Sequence, residues 1–350
     1  MARLKEFNGR YCESDYENAF LSFLEDEGWQ YLPRGSIPRA SRREVLYADD
    51  MEQFLSNTNP DLAPEEIRQI IDTVRLAGAE SDFATLHKVY GWMVNGIQFT
   101  PQDGLPRMVA LIDFEKPENN IFRVVNQFTV EYTNNGQTET RRPDVLLFVN
   151  GMPLCVIELK NPADANATIY TAWEQINIRY WRDIPHLLHY CPLACISDGV
   201  KTRLGTVRTP YEHFYAWRRV DDGDKVSTLP FEEIQTMIKG VYSPRRFLEI
   251  FRDYIYFPDS EYDRDEREIV CRYPQFFAAR LLKQSIITSV VEKSGKGGTY
   301  FGATGCGKTY TMAFLARQLA LRCTDVPQIG SPTIVMIVDR DDLQTQGAQL

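Results

Sequence analysis

The segment RRPDVLLFVNGMPLCVIELKNP, residues 141–162, contains two apolar strands around an Asn-Gly-Met-Pro turn, with charged side chains at the outer strand ends. Asp144 begins the first strand, and Glu158 and Lys160 end the second. Carboxylate oxygens are ligands for Mg²⁺, and a lysine beside them can orient water and stabilise charge that develops on a phosphate. These residue types therefore indicate metal-dependent phosphodiester hydrolysis. The alternative is that they are solvent-facing charges at strand ends, where lysine is common.

The turn decides whether the two carboxylates face each other. A two-residue turn at the Asn-Gly pair would place Asp144 opposite Ile157, on the wrong face, whereas a three-residue loop would place it opposite Glu158. Pro153 cannot donate a ladder hydrogen bond, which disfavours a tight and fully paired turn. We therefore expect a wider or bulged connection that brings the two carboxylates together.

A second motif, GATGCGKT, matches the nucleotide-phosphate pattern G-x-x-x-x-G-K-[ST]. In such a loop the backbone N–H groups and the following helix N-terminus surround a phosphate. Lys308 would reach the β- and γ-phosphates, and the Thr309 hydroxyl would ligate Mg²⁺. A strand at 298–301, a helix at 309–323 and a strand at 332–339 would supply the βαβ context, and the alternative is a chance glycine-rich turn. The candidate loop residues are Gly302, Thr304, Gly305, Cys306, Gly307, Lys308 and Thr309.

This βαβ unit is incomplete, because the chain stops eleven residues after Asp339 and has neither a later acid-ending strand nor a second motor lobe. We expect the chain to bind nucleotide without sustaining ATP-driven motion, and to be the N-terminal portion of a longer protein.

The elements that position these motifs follow from hydrophobic periodicity. Residues 15–27 and most of 49–99 predict helices, strands begin near 106, a helix returns at 168–184 and a strand at 187–199. Residues 231–257 predict two helices that break near Gly240 and Pro244. The predicted domains are an α+β domain with a mixed sheet (1–228), a helical connector and linker (229–262) and an incomplete α/β nucleotide-binding domain (263–350).

Composition restricts the partners. A net charge of −9 argues against binding nucleic acid by bulk electrostatics, although it permits local DNA contact. No apolar run approaches the roughly 18 residues of a membrane span, so we expect no membrane partner. Seven scattered cysteines without a CxxC pair are typical of a reduced, cytoplasmic protein. The stretch from Lys201 to Arg252 carries a cluster of basic side chains, the predicted basic group. It is either a surface that contacts DNA or a partner, or ordinary solvated surface: Lys201, Arg203, Arg208, Arg218, Arg219, Lys239, Arg245, Arg246 and Arg252.

Seven segments occur in an order that resembles the restriction (motor) subunit of type I restriction–modification enzymes: NQFTVEY, RRPDVLLFVNGMPLCVIELKNP, RYWRDIPHLL, ISDGVKTRLGT, RYPQFFAARLL, GATGCGKTYTM and VDRDDLQTQ. The resemblance covers nearly the whole chain from about residue 15. It implies a PD-(D/E)xK endonuclease domain followed by the start of a RecA-like, superfamily 2 helicase domain. It also implies the cofactors Mg²⁺ and ATP, and as partners double-stranded DNA and the modification (methyltransferase) and specificity subunits.

The resemblance further implies roles for particular residues of the nuclease. Asp144, Glu158 and Lys160 correspond to its catalytic triad, with the two carboxylates as metal ligands. Glu17 on the first helix resembles an additional acid near the metal, and the alternative is an exposed helical glutamate.

For the motor, Gln275 in RYPQ resembles the glutamine that reads adenine, and the alternative is a polar helix start. Asp339, Arg340 and Gln346 resemble a motif that touches the DNA backbone, and the alternative is ordinary loop and capping chemistry.

One departure from the family concerns a Q-x3-Y motif on the helix after the nuclease strands. Here Gln175 and Tyr180 are five residues apart, so in an α-helix they would not face each other as an i, i+4 pair. Tyr180 keeps its distance to Pro185, so Tyr180 is in register and Gln175 is not. The phosphate loop also departs from the commoner HTQGSGKS, but it keeps the lysine and the hydroxyl.

The function that these observations predict is Mg²⁺-dependent cleavage of double-stranded DNA, coupled in the full-length subunit to ATP-driven translocation. One alternative is an autonomous PD-(D/E)xK nuclease outside any restriction complex. The other is a catalytically silent fragment that docks DNA and partner subunits.

Overall fold

The computed structural model of the chain describes residues 13–33, 36, 38–78, 80–102, 104–161, 168–226, 232–258, 266–323 and 326–337. The chain divides into two compact units. The first unit comprises Met1–Val220 with Lys225–Leu248, and the second comprises Asp221–Asp224 with Glu249–Leu350. The segment predicted as a connector, 229–262, is thus shared between the two units.

Helices and strands alternate through the first unit, and helices dominate the second. The helices are α1 (Glu13–Asp26), α2 (Ala48–Thr58), α3 (Pro64–Arg75), α4 (Asp82–Asn95), α5 (Ile169–Glu174), α6 (Trp181–Asp183), α7 (Pro185–Leu188), α8 (Glu232–Met237), α9 (Pro244–Asp253), α10 (Tyr273–Glu292) and α11 (Lys308–Leu321). The strands are β1 (Gln30–Leu32), β2 (Ile97–Phe99), β3 (Arg107–Val109), β4 (Phe122–Asn126), β5 (Val130–Asn134), β6 (Gln137–Arg141), β7 (Val145–Val149), β8 (Met152–Leu159), β9 (Leu193–Ser197), β10 (Thr202–Thr206), β11 (Ile255–Tyr256) and β12 (Ile269–Val270). Two π-helices, Gln175–Tyr180 and Ile238–Tyr242, follow α5 and α8, and 3₁₀ turns lie at Pro117–Asn119 and Tyr211–His213.

A six-stranded sheet with the order β1-β4-β7-β8-β9-β10 forms the centre of the first unit. The pairs β1–β4 and β8–β9 are parallel and the other three pairs are antiparallel, so the predicted mixed sheet is confirmed. Every residue of β7 and β8 is buried. A strand that is buried on both faces reads as a continuous apolar run, which explains the VLLFV and PLCVI segments.

The β7–β8 hairpin combines a tight turn with a bulge. Asn150 and Gly151 both have positive φ, 51° and 79°, as the two-residue type I′ turn requires. Leu154 has no partner in β7, and the register shifts by one residue there. Beyond this bulge the pairing places Asp144 opposite Glu158. The predicted bulge is therefore confirmed, although the turn itself is the two-residue form and not a three-residue loop.

The predicted helices of the N-terminal region are present. Residues 15–27 lie in α1 apart from the last, and Gly28 follows with φ 106°, the conformation that ends many helices. Between 49 and 99 the chain forms α2, α3 and α4. Pro64 begins α3, and its inner face buries the predicted residues Ile67, Ile70, Ile71 and Val74.

Two details of the predicted elements are wrong. The segment 187–199 is strand only in β9, because its first residues complete α7 behind a proline at the first helical position. In the second unit, residues 298–301 and 332–337 form no ladder. Phe301 is 93% exposed and Ile337 is 90% exposed. A buried parallel strand needs neighbouring strands and covering helices, which these short apolar runs lack among the described residues. Residues 338–339 lie outside them.

No helix within the described ranges is long and apolar enough to cross a membrane.

Candidate active site

The carboxylates of Asp144 and Glu158 meet at one edge of the central sheet. Asp144 directly precedes β7 and Glu158 is the penultimate residue of β8, and the antiparallel hairpin brings these two strand ends together. The Leu159 backbone N–H donates to Asp144 Oδ2 at 2.9 Å, and the Asp144 backbone N–H lies 3.4 Å from Glu158 Oε1. The structure thus brings together the two acids that the sequence predicts as a pair.

Lys160 completes the predicted group of three. Its Nζ lies 3.5 Å from Glu158 Oε2 and donates to Gln175 Oε1 at 3.0 Å. The Lys160 side chain is only 15% exposed, so it is not a solvated charge at a strand edge. The ammonium group is therefore held beside the carboxylates by the amide of Gln175.

The expectation that Gln175 and Tyr180 do not face each other is wrong. Gln175 Nε2 donates to the Tyr180 hydroxyl at 2.8 Å, and that hydroxyl donates to Glu158 Oε1 at 2.6 Å. The reason is that residues 175–180 form a π-helix, in which the repeat is i to i+5 instead of i to i+4. The extra residue relative to a Q-x3-Y spacing is absorbed by this turn, and both side chains reach the site.

The site contains two buried acids, Asp144 and Glu158, with the Lys160 ammonium group beside them. Glu158 is 0% exposed and Asp144 is 9% exposed. Burial raises the pKa of the Glu158 carboxyl well above its ordinary value, and the nearby charge of Asp144 raises it further. Burial, and to a smaller extent the charge of Glu158, also raise the pKa of the Tyr180 hydroxyl. That hydroxyl therefore keeps its proton and remains a hydrogen-bond donor.

Glu17 also lies at this edge and is not the exposed helical residue of the alternative interpretation, since only 9% of it is exposed. Its two carboxylate oxygens accept hydrogen bonds from Asn126 Nδ2 at 2.6 Å and Gln127 Nε2 at 2.7 Å. Gln127 Nε2 also lies 3.3 Å from Asp144 Oδ1. Glu17 is therefore connected to the acid pair through one amide group.

Sequence reasoning missed Asn126 and Gln127 as members of the site. Asn126 is the last residue of β4, a neighbour of β7, and Gln127 follows it, so both reach the same edge of the sheet. Ser197, the last residue of β9, also lies beside the site: its backbone carbonyl accepts from the Lys160 N–H at 2.8 Å, and its Oγ lies 3.0 Å from the Tyr16 hydroxyl. The available signal was a polar residue at the end of a strand that adjoins β7 or β8: Asn126 ends β4 directly after two valines, and Ser197 ends the apolar strand β9.

The donor set fits a hard divalent cation. Mg²⁺ commonly takes one or two protein carboxylates, with water and substrate oxygens completing its shell, and Asp144 and Glu158 supply such a pair. Within the part of the chain that the structure describes, no three His, Cys, Asp or Glu side chains are spaced as ligands of one ion. The third acid, Glu17, is instead separated from Asp144 by the Gln127 amide.

The second predicted motif forms a loop before α11 in the second unit. Gly305 and Gly307 both have φ of 79°, a conformation that glycine adopts at no steric cost. Lys308 begins α11, and its Nζ donates to the carbonyl oxygens of Gly302 and Ala303 at 2.9 and 3.0 Å. The lysine thus closes the loop on itself, next to the N-terminus of a 14-residue helix.

Gln275 lies against this loop, and its predicted role toward adenine stays a prediction. Its Nε2 donates to Gly307 O at 3.1 Å and lies 3.4 Å from Cys306 O, while its Oε1 accepts from the Arg272 backbone N–H at 2.7 Å. The last bond makes Gln275 a helix cap as well, so both ends of its amide are in use. Thr309 is the second residue of α11. The three residues predicted to touch the DNA backbone lie outside the described residues: Asp339, Arg340 and Gln346.

Two residues of the predicted basic group, Arg208 and Arg246, make contacts within the first unit. The Arg208 guanidinium lies 4.8 Å from the Trp181 ring and 5.5 Å from the Phe83 ring. Arg246 donates to the Val220 carbonyl at 2.9 Å. For these two arginines, packing within the first unit accounts for the side chain.

Comparison with known families agrees with this arrangement. Residues 10–213 match the family model described as type I restriction enzyme R protein N terminus, and residues 274–349 match that of the SWI2/SNF2 ATPase. The first match covers more than half of the chain and contains every residue of the site described above from Glu17 to Tyr180. The chain therefore belongs to the type I restriction enzyme R protein family.

Individual relatives carry the same designation. The HindI endonuclease subunit of a type I restriction enzyme from Haemophilus influenzae is 31% identical over 95% of the chain. The MjaIXP endonuclease subunit of Methanocaldococcus jannaschii is 27% identical over 94% of the chain. The chain spans about a third of the length of these two relatives, 32% and 33% respectively.

Proposed function

We propose that this chain carries the nuclease centre of a type I restriction endonuclease subunit and cleaves phosphodiester bonds of double-stranded DNA with Mg²⁺. One observation supports this most strongly: the buried pair Asp144 and Glu158 lies at a sheet edge with Lys160 held beside it. Burying two neighbouring carboxylates has a high electrostatic cost. A divalent cation bound to both would compensate their negative charge. The fold around them is, in this proposal, of the PD-(D/E)xK type.

The residues of the site have separate tasks in this proposal. A Mg²⁺ ion bound there would polarise the phosphate and lower the pKa of a bound water. Asp144 and Glu158 would hold the ion, with Glu17 as a further acid beside it. Lys160 would orient the attacking water and stabilise the charge that develops on the phosphate. Gln175 fixes the Lys160 ammonium and Tyr180 fixes the Glu158 carboxylate, as their hydrogen bonds of 3.0 and 2.6 Å indicate.

We also propose that the loop Gly302–Thr309 binds the phosphates of ATP in the manner of a Walker A motif, with Gln275 beside the nucleotide. The loop precedes a helix N-terminus, which favours anions, and Lys308 lies within reach of the loop interior. In the complete subunit this domain would couple ATP hydrolysis to translocation along DNA. The modification and specificity subunits would be its partners and would select the DNA sequence.

The test replaces Lys160 with alanine in the complete subunit assembled with its partner subunits. Plasmid cleavage and ATP hydrolysis are measured in the same samples. We expect cleavage to fall by at least about a hundredfold, as for loss of one charge-stabilising group, with ATP hydrolysis unchanged. Lys88→Ala is the matched control, because Lys88 pairs with Glu80 at 2.8 Å on the surface and should leave both activities intact.

The other outcomes separate the alternatives. Full cleavage by Lys160→Ala would refute the proposed centre. Restriction activity that survives substitution of Lys160, Asp144 and Glu158 would favour a silent docking role. Cleavage by the unmodified chain alone, without partners or ATP, would favour an autonomous nuclease.

A further inference from the structure

The backbone at Gln127 is held in an unusual conformation beside the proposed metal centre. Its φ is 51°, in the left-handed region that a non-glycine residue seldom adopts. Two backbone hydrogen bonds impose it: Gln127 N–H donates to Asp144 O at 2.8 Å and Phe128 N–H donates to Pro143 O at 3.2 Å. The chain at Gln127 is therefore tied to the chain at Asp144, and its side chain is directed to the acids.

The Gln127 amide lies between two carboxylates. Its Nε2 is 2.7 Å from Glu17 Oε2 and 3.3 Å from Asp144 Oδ1. Ionised carboxylates only accept hydrogen bonds, so the NH₂ end of the amide, and not its oxygen, must face them. The two N–H groups carry partial positive charge, and they lie where a cation shared by these acids would lie.

The neighbouring amide of Asn126 differs in how firmly it is held. Asn126 Nδ2 donates to Glu17 Oε1 at 2.6 Å, and its Oδ1 accepts from the Tyr31 hydroxyl at 3.0 Å, so both of its ends are fixed. For Gln127, no donor within the described part of the chain contacts Oε1. Moving the Gln127 amide away from the acids therefore breaks only the bonds that its NH₂ group makes.

We propose that the Gln127 amide takes the place of the cation between Glu17 and Asp144, and that binding of a divalent cation displaces it. This inference rests on the proposed function. The N···O distances of 2.7 and 3.3 Å exceed the roughly 2.0–2.1 Å of a Mg²⁺–oxygen bond, so the two carboxylates must close in on an ion. An N–H group cannot lie between an ion and its ligands. Gln127 thus holds the acids together without metal and lowers their affinity for it.

The test measures Mn²⁺ affinity of the 350-residue chain by electron paramagnetic resonance of the free ion. Gln127→Ala removes the competing amide, and Gln127→Met removes it while keeping the side-chain volume. We expect both variants to bind Mn²⁺ about tenfold more tightly, the equivalent of one hydrogen bond to a charged group. The exposed Gln98 of β2 supplies the control, since Gln98→Ala should bind as the unmodified chain does.

Thermal unfolding supplies a second readout. In EDTA both Gln127 variants should melt below the unmodified chain, because their acids lose a shared donor. Saturating Mn²⁺ should raise their melting temperatures by more than it raises that of the unmodified chain. Unchanged or weaker Mn²⁺ binding by both variants would overturn the proposal, and weaker binding would make Gln127 a ligand instead.

Asp144→Asn distinguishes this failure from failure of the proposed function. If Asp144→Asn abolishes Mn²⁺ binding and the Gln127 variants do not tighten it, the metal centre stands and the role of Gln127 is refuted. If the unmodified chain binds no Mn²⁺, or Asp144→Asn binds it equally well, both proposals are overturned.

Discussion

The Tyr180 hydroxyl is the contact whose removal tests most directly how the fold prepares Glu158. It donates to Glu158 Oε1 at 2.6 Å and accepts from Gln175 Nε2 at 2.8 Å, and the side chain is fully buried. The other donors to this carboxylate, the Asp144 N–H and the Lys160 Nζ, are at 3.4 and 3.5 Å. Tyr180→Phe therefore deletes the shortest hydrogen bond that Glu158 accepts and leaves the ring packing in place.

The magnitude follows from the two bonds that are lost. A hydrogen bond to a charged group contributes about 1.5–3 kcal/mol and a neutral one about 1 kcal/mol. We expect Tyr180→Phe to lower the free energy of unfolding of the first unit by about 2.5–4 kcal/mol. Groups that orient a metal ligand typically change metal affinity about 10- to 100-fold, and we expect Mn²⁺ binding to weaken within that range.

The assay is urea unfolding of the 350-residue chain in EDTA, followed by tryptophan fluorescence. All five tryptophans lie in the first unit, so the signal reports that unit alone. Tyr190→Phe is the matched control, because this buried hydroxyl donates to a backbone carbonyl, Val74 O, at 2.8 Å. It should cost only about 1 kcal/mol. Equal losses for Tyr180→Phe and Tyr190→Phe, with Mn²⁺ affinity unchanged in both, would refute the reasoning.

Three further predictions concern the same hairpin and helix. Because burial and then a neighbouring acid raise the folded-state pKa of Glu158 above its ordinary value of 4.5, its ionisation costs stability as the pH rises above 4.5. Glu158→Gln should thus resist urea better than the unmodified chain at neutral pH in EDTA, with the difference vanishing near pH 4.5; lower stability at every pH would contradict this. Deleting Ile178, which is 48% exposed, turns the π-turn into an α-turn that keeps the glutamine and tyrosine on one face, so Mn²⁺ affinity should be unchanged, and a large loss would show that the π-helix itself is required. Gly151→Ala places a Cβ against the Tyr47 carbonyl oxygen at a φ of 79°, and should lower the free energy of unfolding by about 2–4 kcal/mol in the same fluorescence assay, whereas a neutral effect would mean that the turn relaxes.

Much of the site could be predicted from local pattern. The apolar runs of β7 and β8 predicted buried strands, and the charged residues at their ends, Asp144, Glu158 and Lys160, lie together in the structure. The amphipathic spacing of α3 predicted its buried face residue by residue. These predictions succeed because strand alternation and helical periodicity depend on neighbours within one element.

The tertiary contacts of the site could not be predicted in the same way. Gln175 and Tyr180 are in contact because residues 175–180 form a π-helix. In an α-helix, a spacing of five residues would have placed them on different faces. Asn126 and Gln127 entered the site because β4 pairs with β7, which no residue near them in sequence specifies. In the second unit, apolar composition predicted strands at 298–301 and 332–339, but residues 298–301 and the described residues 332–337 form no ladder, because a strand requires partners as well as composition.

The amino-acid sequence specifies which chemical groups are available: two acids and a lysine at the ends of apolar strands, and a glycine-rich loop with lysine and threonine before a helix. Which of these groups come together depends on how the strands pair. A tight Asn-Gly turn alone would have placed Asp144 on the face opposite Glu158, and the unpaired Leu154 shifts the register by one residue and reverses that outcome. Side chains alternate faces along a strand, so a single unpaired residue, set by the packing of strands on both sides, determines whether the carboxylates form one site.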